Sequence, residues 1–139
     1  MDSKIDKKNL VMAGLILMIY DLLKQQGVYP NTSKEEFIKD LVYLHQKGCL
    51  YTSFEYGKPV VVVAMYRIPE YTPEKIDKYP EKEEGTILYI PFAVSISKDK
   101  HKILSLLKYH LNNHPEISEV IYERKGKPKR FKLKQTIGV

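Results

Sequence analysis

The sequence predicts an α+β fold, three-layer-like, with a mixed, mostly antiparallel five-stranded sheet built in the order α-α-β-β-β-α-β-β. Three observations carry this. Two N-terminal segments repeat apolar residues at helical spacing. The valines at 60–63 show no alternation, which marks a strand buried on both faces and central in its sheet. An apolar stripe between residues 100 and 113 separates two strand-like segments, so those strands are joined by a crossover and run parallel if they share a sheet.

The first helix is expected over residues 7–26, with Asp6 as N-cap and Gly27 beyond its end. Its run "LVMAGLILMIY" is shorter than the ~20 apolar residues of a membrane span. Lys4, Lys7 and Lys8 precede it as in a signal peptide, but "DLLKQQG" lacks a small-residue cleavage pattern, so a packed helix is expected. If apolar all round, that helix would present one face to a second subunit, making a homodimer.

"NTSKEEF" opens the second helix with Thr32 or Ser33 as cap and a glutamate three residues on, a capping box. Phe37, Ile38, Leu41, Val42 and His45 follow at helical spacing, and Gly48 closes it. "CLYTSFEY" and "VVVVAMYRI" read as an antiparallel pair around the turn "GKP". Residues 69–85, with Pro69, Pro73 and Pro80, form an exposed loop. A third strand spans 86–97. The helix over 100–113 places Ile103, Leu104, Leu107 and Leu111 in one stripe, and "ISEVIYER" and "KRFKLKQ" make a terminal hairpin through "KGKPK".

The chain of 139 residues suits one domain, 1–139, with a core of its own. Its single cysteine, Cys49, forms no internal disulfide and suits a reducing cytoplasm. The net charge of +6 is uneven: residues 98–134 hold eleven Lys or Arg against four acids. An anionic partner would therefore meet the C-terminal third.

In "YIPFAVSISKDKHK", Pro91 stands among residues that look interior, although proline has no N–H for a neighbouring strand. It marks a bulge, a place where two strands part, or an edge strand. In the first two cases backbone groups of Phe92, Ala93, Val94 and Ser95 lack strand partners and are open to a ligand with amides of its own. Ser97 or Asp99 can cap the next helix, whose N-terminus with Lys98, Lys100 and Lys102 suits an anion such as a phosphate.

From about Gln26 to Lys134 this order of elements, with its irregular third strand, resembles the GNAT N-acetyltransferase superfamily. The first family strand and the helix after the returning strand have no counterpart. The resemblance implies acetyl-CoA or another acyl-CoA as cofactor, an amine acceptor on a small molecule or protein, and N-acetyltransferase activity, retained, weakened or lost. It places pantetheine on Phe92, Ala93, Val94 and Ser95 and the pyrophosphate on Ser97, Lys98, Lys100, His101 and Lys102. The family's Q/R-x-x-G-x-G/A loop superposes on "KDKHKI", where His101 and Ile103 replace its small residues. No family catalytic residue carries over; Tyr89 and Tyr122 are candidates.

Other classes compete with this one. His110 and His114 stand four apart without a third ligand, so no metal is expected. Cys49 reads as a buried structural thiol. The chief alternative is nucleic-acid binding by a hairpin that buries Phe131 and Leu133 and shows Lys129, Arg130, Lys132 and Lys134 to phosphates. A further one is a non-catalytic dimerising interaction module on the same frame. No membrane association is expected.

Overall fold

The computed structural model describes residues 7–71, 85–96, 101–124 and 127–133. Helices α1 (Lys7–Gln25) and α2 (Lys34–Gln46) precede strands β1 (Leu50–Glu55), β2 (Lys58–Ile68) and β3 (Ile87–Ser95); α3 (His101–Asn113), β4 (Glu119–Arg124) and β5 (Lys127–Lys132) follow. The five strands lie in the order β1-β2-β3-β4-β5. Among these pairs only β3–β4 is parallel, as the helical crossover requires. The fold is thus α+β with a mixed, mostly antiparallel sheet. Asp6, Ser97, Lys98, Lys100, Lys134 and residues 72–84 of the expected loop lie outside the described residues.

The helices sandwich the sheet. On one face, Ile16, Ile19, Tyr20 and Leu23 of α1 and Phe37, Leu41 and Leu44 of α2 pack on Val62, Ala64, Tyr66, Tyr89, Phe92 and Ile121. The buried α1 positions recur at helical spacing and Leu17 faces outward, so the described part of α1 is amphipathic rather than apolar all round. Ser33 caps α2, accepting a hydrogen bond from the Glu36 N–H at 3.2 Å, as the capping box implies. On the opposite face Val61, Val63, Met65, Leu88, Ile90 and Val120 meet Ile103, Leu106, Leu107 and Leu111 of α3. Leu104, expected in that stripe, is exposed, and Leu106 takes its place: residue 104 lies about 100° around the helix from 103, on the outer side.

Two turns differ from expectation. The β1–β2 turn residues are Tyr56 and Gly57, at φ 53° and 76°, so Lys58 and Pro59 belong to β2. Two positive φ values in a two-residue loop give the primed turn whose twist matches the strands, and glycine occupies the second at no steric cost. In the terminal hairpin Arg124 pairs with Lys127, so Lys127, Pro128 and Lys129 lie in β5 rather than in the connection. Proline is tolerated there because β5 is an edge strand.

β3 is displaced from regularity at one point. Ala64 pairs with Phe92 and Tyr66 with Tyr89, so β3 holds one residue more than β2 across this interval. This is a β-bulge at Ile90–Pro91 opposite Met65, whose own N–H turns the other way to the Cys49 carbonyl at 3.0 Å. β3 is internal to the sheet, so Pro91 does not mark an edge strand. The extra residue reverses side-chain parity: Ile87 and Tyr89 face α1 and α2 before the bulge, and Phe92 and Val94 after it.

Where β2 leaves the sheet and β3 enters it, Gly85 lies against Ile68 so closely that a Cβ would stand 2.2 Å from the Ile68 carbonyl oxygen. Gly85→Ala is therefore expected to lower stability by about 1–3 kcal/mol through overpacking. Gly14→Ala on α1, where a Cβ meets nothing within 4 Å, is expected to raise it by up to about 1 kcal/mol through helix propensity. Urea unfolding of both variants checks the pair; equal effects would contradict the packing at Gly85.

Candidate functional site

The bulge creates a cleft. β3 pairs with β4 from Ile87↔Glu119 to Ile90↔Tyr122 and no further, while its pairing with β2 continues to Ser95. Beyond the bulge, β3 and β4 diverge around a cavity of about 770 Å³. Its walls are 91–95 of β3, Tyr122, Glu123 and Arg124 of β4, and the α1–α2 connection from Gln26 to Asn31.

The register shows which backbone groups face this space. Ile96 donates its N–H to the Val60 carbonyl at 2.8 Å, so Val94 and Phe92, two and four residues back, also bond toward β2. Ala93 and Ser95, between them, turn their N–H and C=O groups toward the cleft, where no described strand meets them. The Ser95 Oγ is likewise buried without a described partner. The site therefore offers extended-strand donors and acceptors to a ligand able to complete the ladder.

Tyr29, at φ 48° in the α1–α2 connection, anchors the roof of the cleft. Its ring packs edge-on against Phe37 at 5.5 Å and Phe92 at 5.9 Å, tying the connection to β3 just past the bulge. On the β4 wall, Glu123 shares the α1/α2 face of the sheet with Ile121, two residues before it. Its Oε1 accepts a hydrogen bond from the Tyr71 hydroxyl at 3.1 Å. Tyr71 is held from the far side by the Arg130 guanidinium, 5.7 Å from its ring centre, and Arg130 Nε in turn donates to Glu119 Oε1 at 2.6 Å.

Of the candidate tyrosines, Tyr89 is only 1% exposed, packed against Tyr66 and Tyr71 beneath the cleft. Its hydroxyl makes no hydrogen bond among the described residues. Burial, and next the nearby Glu123 charge, push its pKa far above the ordinary phenol value. It keeps its proton at neutral pH. Tyr122 borders the cleft at the last β3–β4 pair, while its side chain packs with the cluster under α3. Phe92 and Val94 contribute buried side chains to the α1/α2 face, and Ala93 packs on the α3 face.

His101 and Lys102 lie elsewhere. They border a separate hollow of about 600 Å³ beside β1, with Tyr51, Ser53 and Ser105. There the Lys102 ammonium contacts Ser53 Oγ and Glu55 Oε1, each at 3.3 Å. The structure thus brings Phe92, Ala93, Val94, Ser95 and Tyr122 to one cleft and sets His101 and Lys102 apart from it. Sequence reasoning missed Tyr29, Tyr71 and Glu123. Period-two alternation from Ile121 could have placed Glu123 on the α1/α2 face; the Tyr71–Glu123 contact spans 52 positions and has no local signal.

His110 packs on Tyr51 at 5.0 Å and His114 faces Glu116 at 3.4 Å. Among the described residues no group of three His, Cys, Asp or Glu could hold a metal ion, and no helix is long and apolar enough to cross a membrane.

No family model matches the chain, and no curated protein does. Two solved structures are similar to it. One is the GNAT-like decarboxylase GphF in complex with isobutyryl-CoA, 15% identical over 79% of this chain, with a TM-score of 0.48. This chain spans 61% of that protein's length. The other is a predicted acetyltransferase with acetyl-CoA from Clostridium acetobutylicum, 17% identical over 86% of this chain and 77% of its own, with a TM-score of 0.47.

Replacing Tyr89 by Phe removes a buried hydroxyl without a described partner, so stability at neutral pH should stay within about 1 kcal/mol of the parent. Because folding raises the Tyr89 pKa, its stabilising contribution is complete below the unfolded value of 10.0 and is lost as pH rises above it. Urea unfolding on either side of pH 10 should therefore show a shallower alkaline decline for Tyr89→Phe than for the parent; identical declines would contradict the assignment.

Proposed function

We propose that the protein is a GNAT-like acyl-CoA-dependent N-acyltransferase, with the cleft between β3 and β4 as its active site. The observation that carries this reading is the pair of cleft-facing backbone units at Ala93 and Ser95. A pantetheine arm has two amides on an extended chain, the chemistry needed to continue an interrupted strand ladder. The cavity's volume and its apolar Phe92, Val94 and Tyr29 lining suit such a ligand. When bound, acyl-CoA supplies an activated thioester.

Transfer asks little of the protein. A bound acyl-CoA would offer its carbonyl carbon to a neutral amine, with the CoA thiolate as leaving group. Of the two protons the nitrogen of an ammonium gives up, one ends on the CoA thiolate and one in solvent. The chain's part is to position both reactants and to offer a backbone N–H of the splayed edge to the developing oxyanion. Ser97, Lys98 and Lys100 remain the proposed partners of the pyrophosphate; Lys102, engaged by Glu55, suits that task less well.

Nucleic-acid binding by the terminal hairpin is the weaker reading. Arg130 is committed to Glu119 and to the Tyr71 ring, and Phe131, expected inside, is 55% exposed on the opposite side of β5.

Acetyl-CoA is expected to raise the melting temperature by several degrees; at a hundred times its dissociation constant the stabilisation is about 2.7 kcal/mol. Ala93→Pro deletes a cleft-facing N–H without removing a bond to β2, so it should retain the circular dichroism spectrum and lose most of that shift. No shift in the parent protein at saturating acetyl-CoA would refute the proposal.

A further inference from the structure

Among the described residues lining the cleft, Glu123 is the one acid and Arg124 the one base. We propose that Glu123 receives the ammonium group of the acyl acceptor, and that this acceptor is a monoamine with an apolar or aromatic body. The proposal rests on the acyltransferase reading above and specifies the substrate class for the same cleft.

Three observations converge. First, no described Lys or Arg pairs with Glu123: Arg130, on the neighbouring strand and same face, is held by Glu119 and stacked on Tyr71. A carboxylate has about four acceptor directions, and Tyr71 uses one on Oε1, so capacity remains for an N–H donor. Tyr71 thereby acts as a positioning residue, fixing the carboxylate at the cleft wall while Arg130 steadies Tyr71.

Second, beside the polar Gln26, Asn31 and Ser95, the uncharged lining is aromatic and apolar. Tyr29, Phe92 and Val94, on the same face of the sheet as Glu123, border the space that the rest of the acceptor would fill. Such walls favour an apolar body and add cation–π attraction for its charged end. A neutral alcohol of the same shape would leave the partly desolvated carboxylate without its counter-charge, which is costly.

Third, the surroundings disfavour a polycation. Arg124 borders the same cleft, and Lys132 is exposed on the Glu123 face of β5, while Lys127 and Lys129 lie on the other face. A polyamine or a lysine-rich peptide gains one ion pair and meets like charge elsewhere, whereas a monocation meets the attraction alone.

Titration calorimetry on the full chain saturated with CoA tests this with phenethylamine, its neutral analogue 2-phenylethanol, and spermidine. Phenethylamine is expected to bind at least about tenfold more tightly than either of the others, the worth of one charge-assisted hydrogen bond. Glu123→Gln should weaken phenethylamine by a similar factor and leave CoA affinity unchanged. Tyr71→Phe should weaken it about threefold, again sparing CoA, and this second variant serves if the first does not fold. Unchanged phenethylamine affinity in Glu123→Gln, or spermidine or 2-phenylethanol binding as tightly as phenethylamine, would overturn the assignment alone. Absence of CoA binding to the parent protein would instead overturn the acyltransferase reading.

Discussion

One additional residue in β3 organises the site. With Ile90 and Pro91 together opposite Met65, the strand turns away from β4 while staying bonded to β2, and its side-chain parity reverses. A regular strand would go on pairing with β4 and close the space that the cleft occupies. Proline suits the bulge because the N–H it lacks is one the ladder there does not use. The consequence is an exposed strand edge inside the protein rather than at its rim, at Ala93 and Ser95.

Such an edge persists only because its surroundings hold the strands apart. β2 supplies a rigid partner, since Val62 and Val63 are fully buried on opposite faces and the strand bonds to β1 and β3. α1 and α2 cover one face, and their connection reaches over the cleft through Tyr29 onto Phe37 and Phe92. On the β4 side, Tyr71, Arg130 and Glu119 brace the wall that carries Glu123. Core packing and the site are therefore one construction: the rings that stabilise the α1/α2 face also shape the ligand space.

Much of this was legible in the chain itself. The valines of β2, the Ser33 capping box and the crossover through α3 each combine a local rule with one way of packing, so element order and sheet class followed. Pro91 was legible as an irregularity, though the sequence left a bulge and an edge strand open; only the position of β3 between β2 and β4 decides. Leu104 misled because a leucine one position off the buried stripe looks the same as one on it. Lys127, Pro128 and Lys129 read as a turn because proline and lysine suit both a connection and an edge strand. Glu123 was hidden because its meaning comes from Tyr71, 52 positions away, and from Arg130 on the next strand. Lys102, expected beside an anion, contacts Ser53 and Glu55 on β1 from the first turn of α3.

The central claim is that the backbone of Ala93 and Ser95 stands ready for a ligand's amides. Residue-resolved amide hydrogen exchange, with and without acetyl-CoA, addresses it most directly. Without ligand, the Ala93 and Ser95 amides should exchange much faster than those of Phe92 and Val94, which bond to β2; with saturating acetyl-CoA, one or both should slow markedly. Ala93 and Ser95 amides already as protected as their neighbours in the free protein, or unchanged by saturating ligand, would contradict the account.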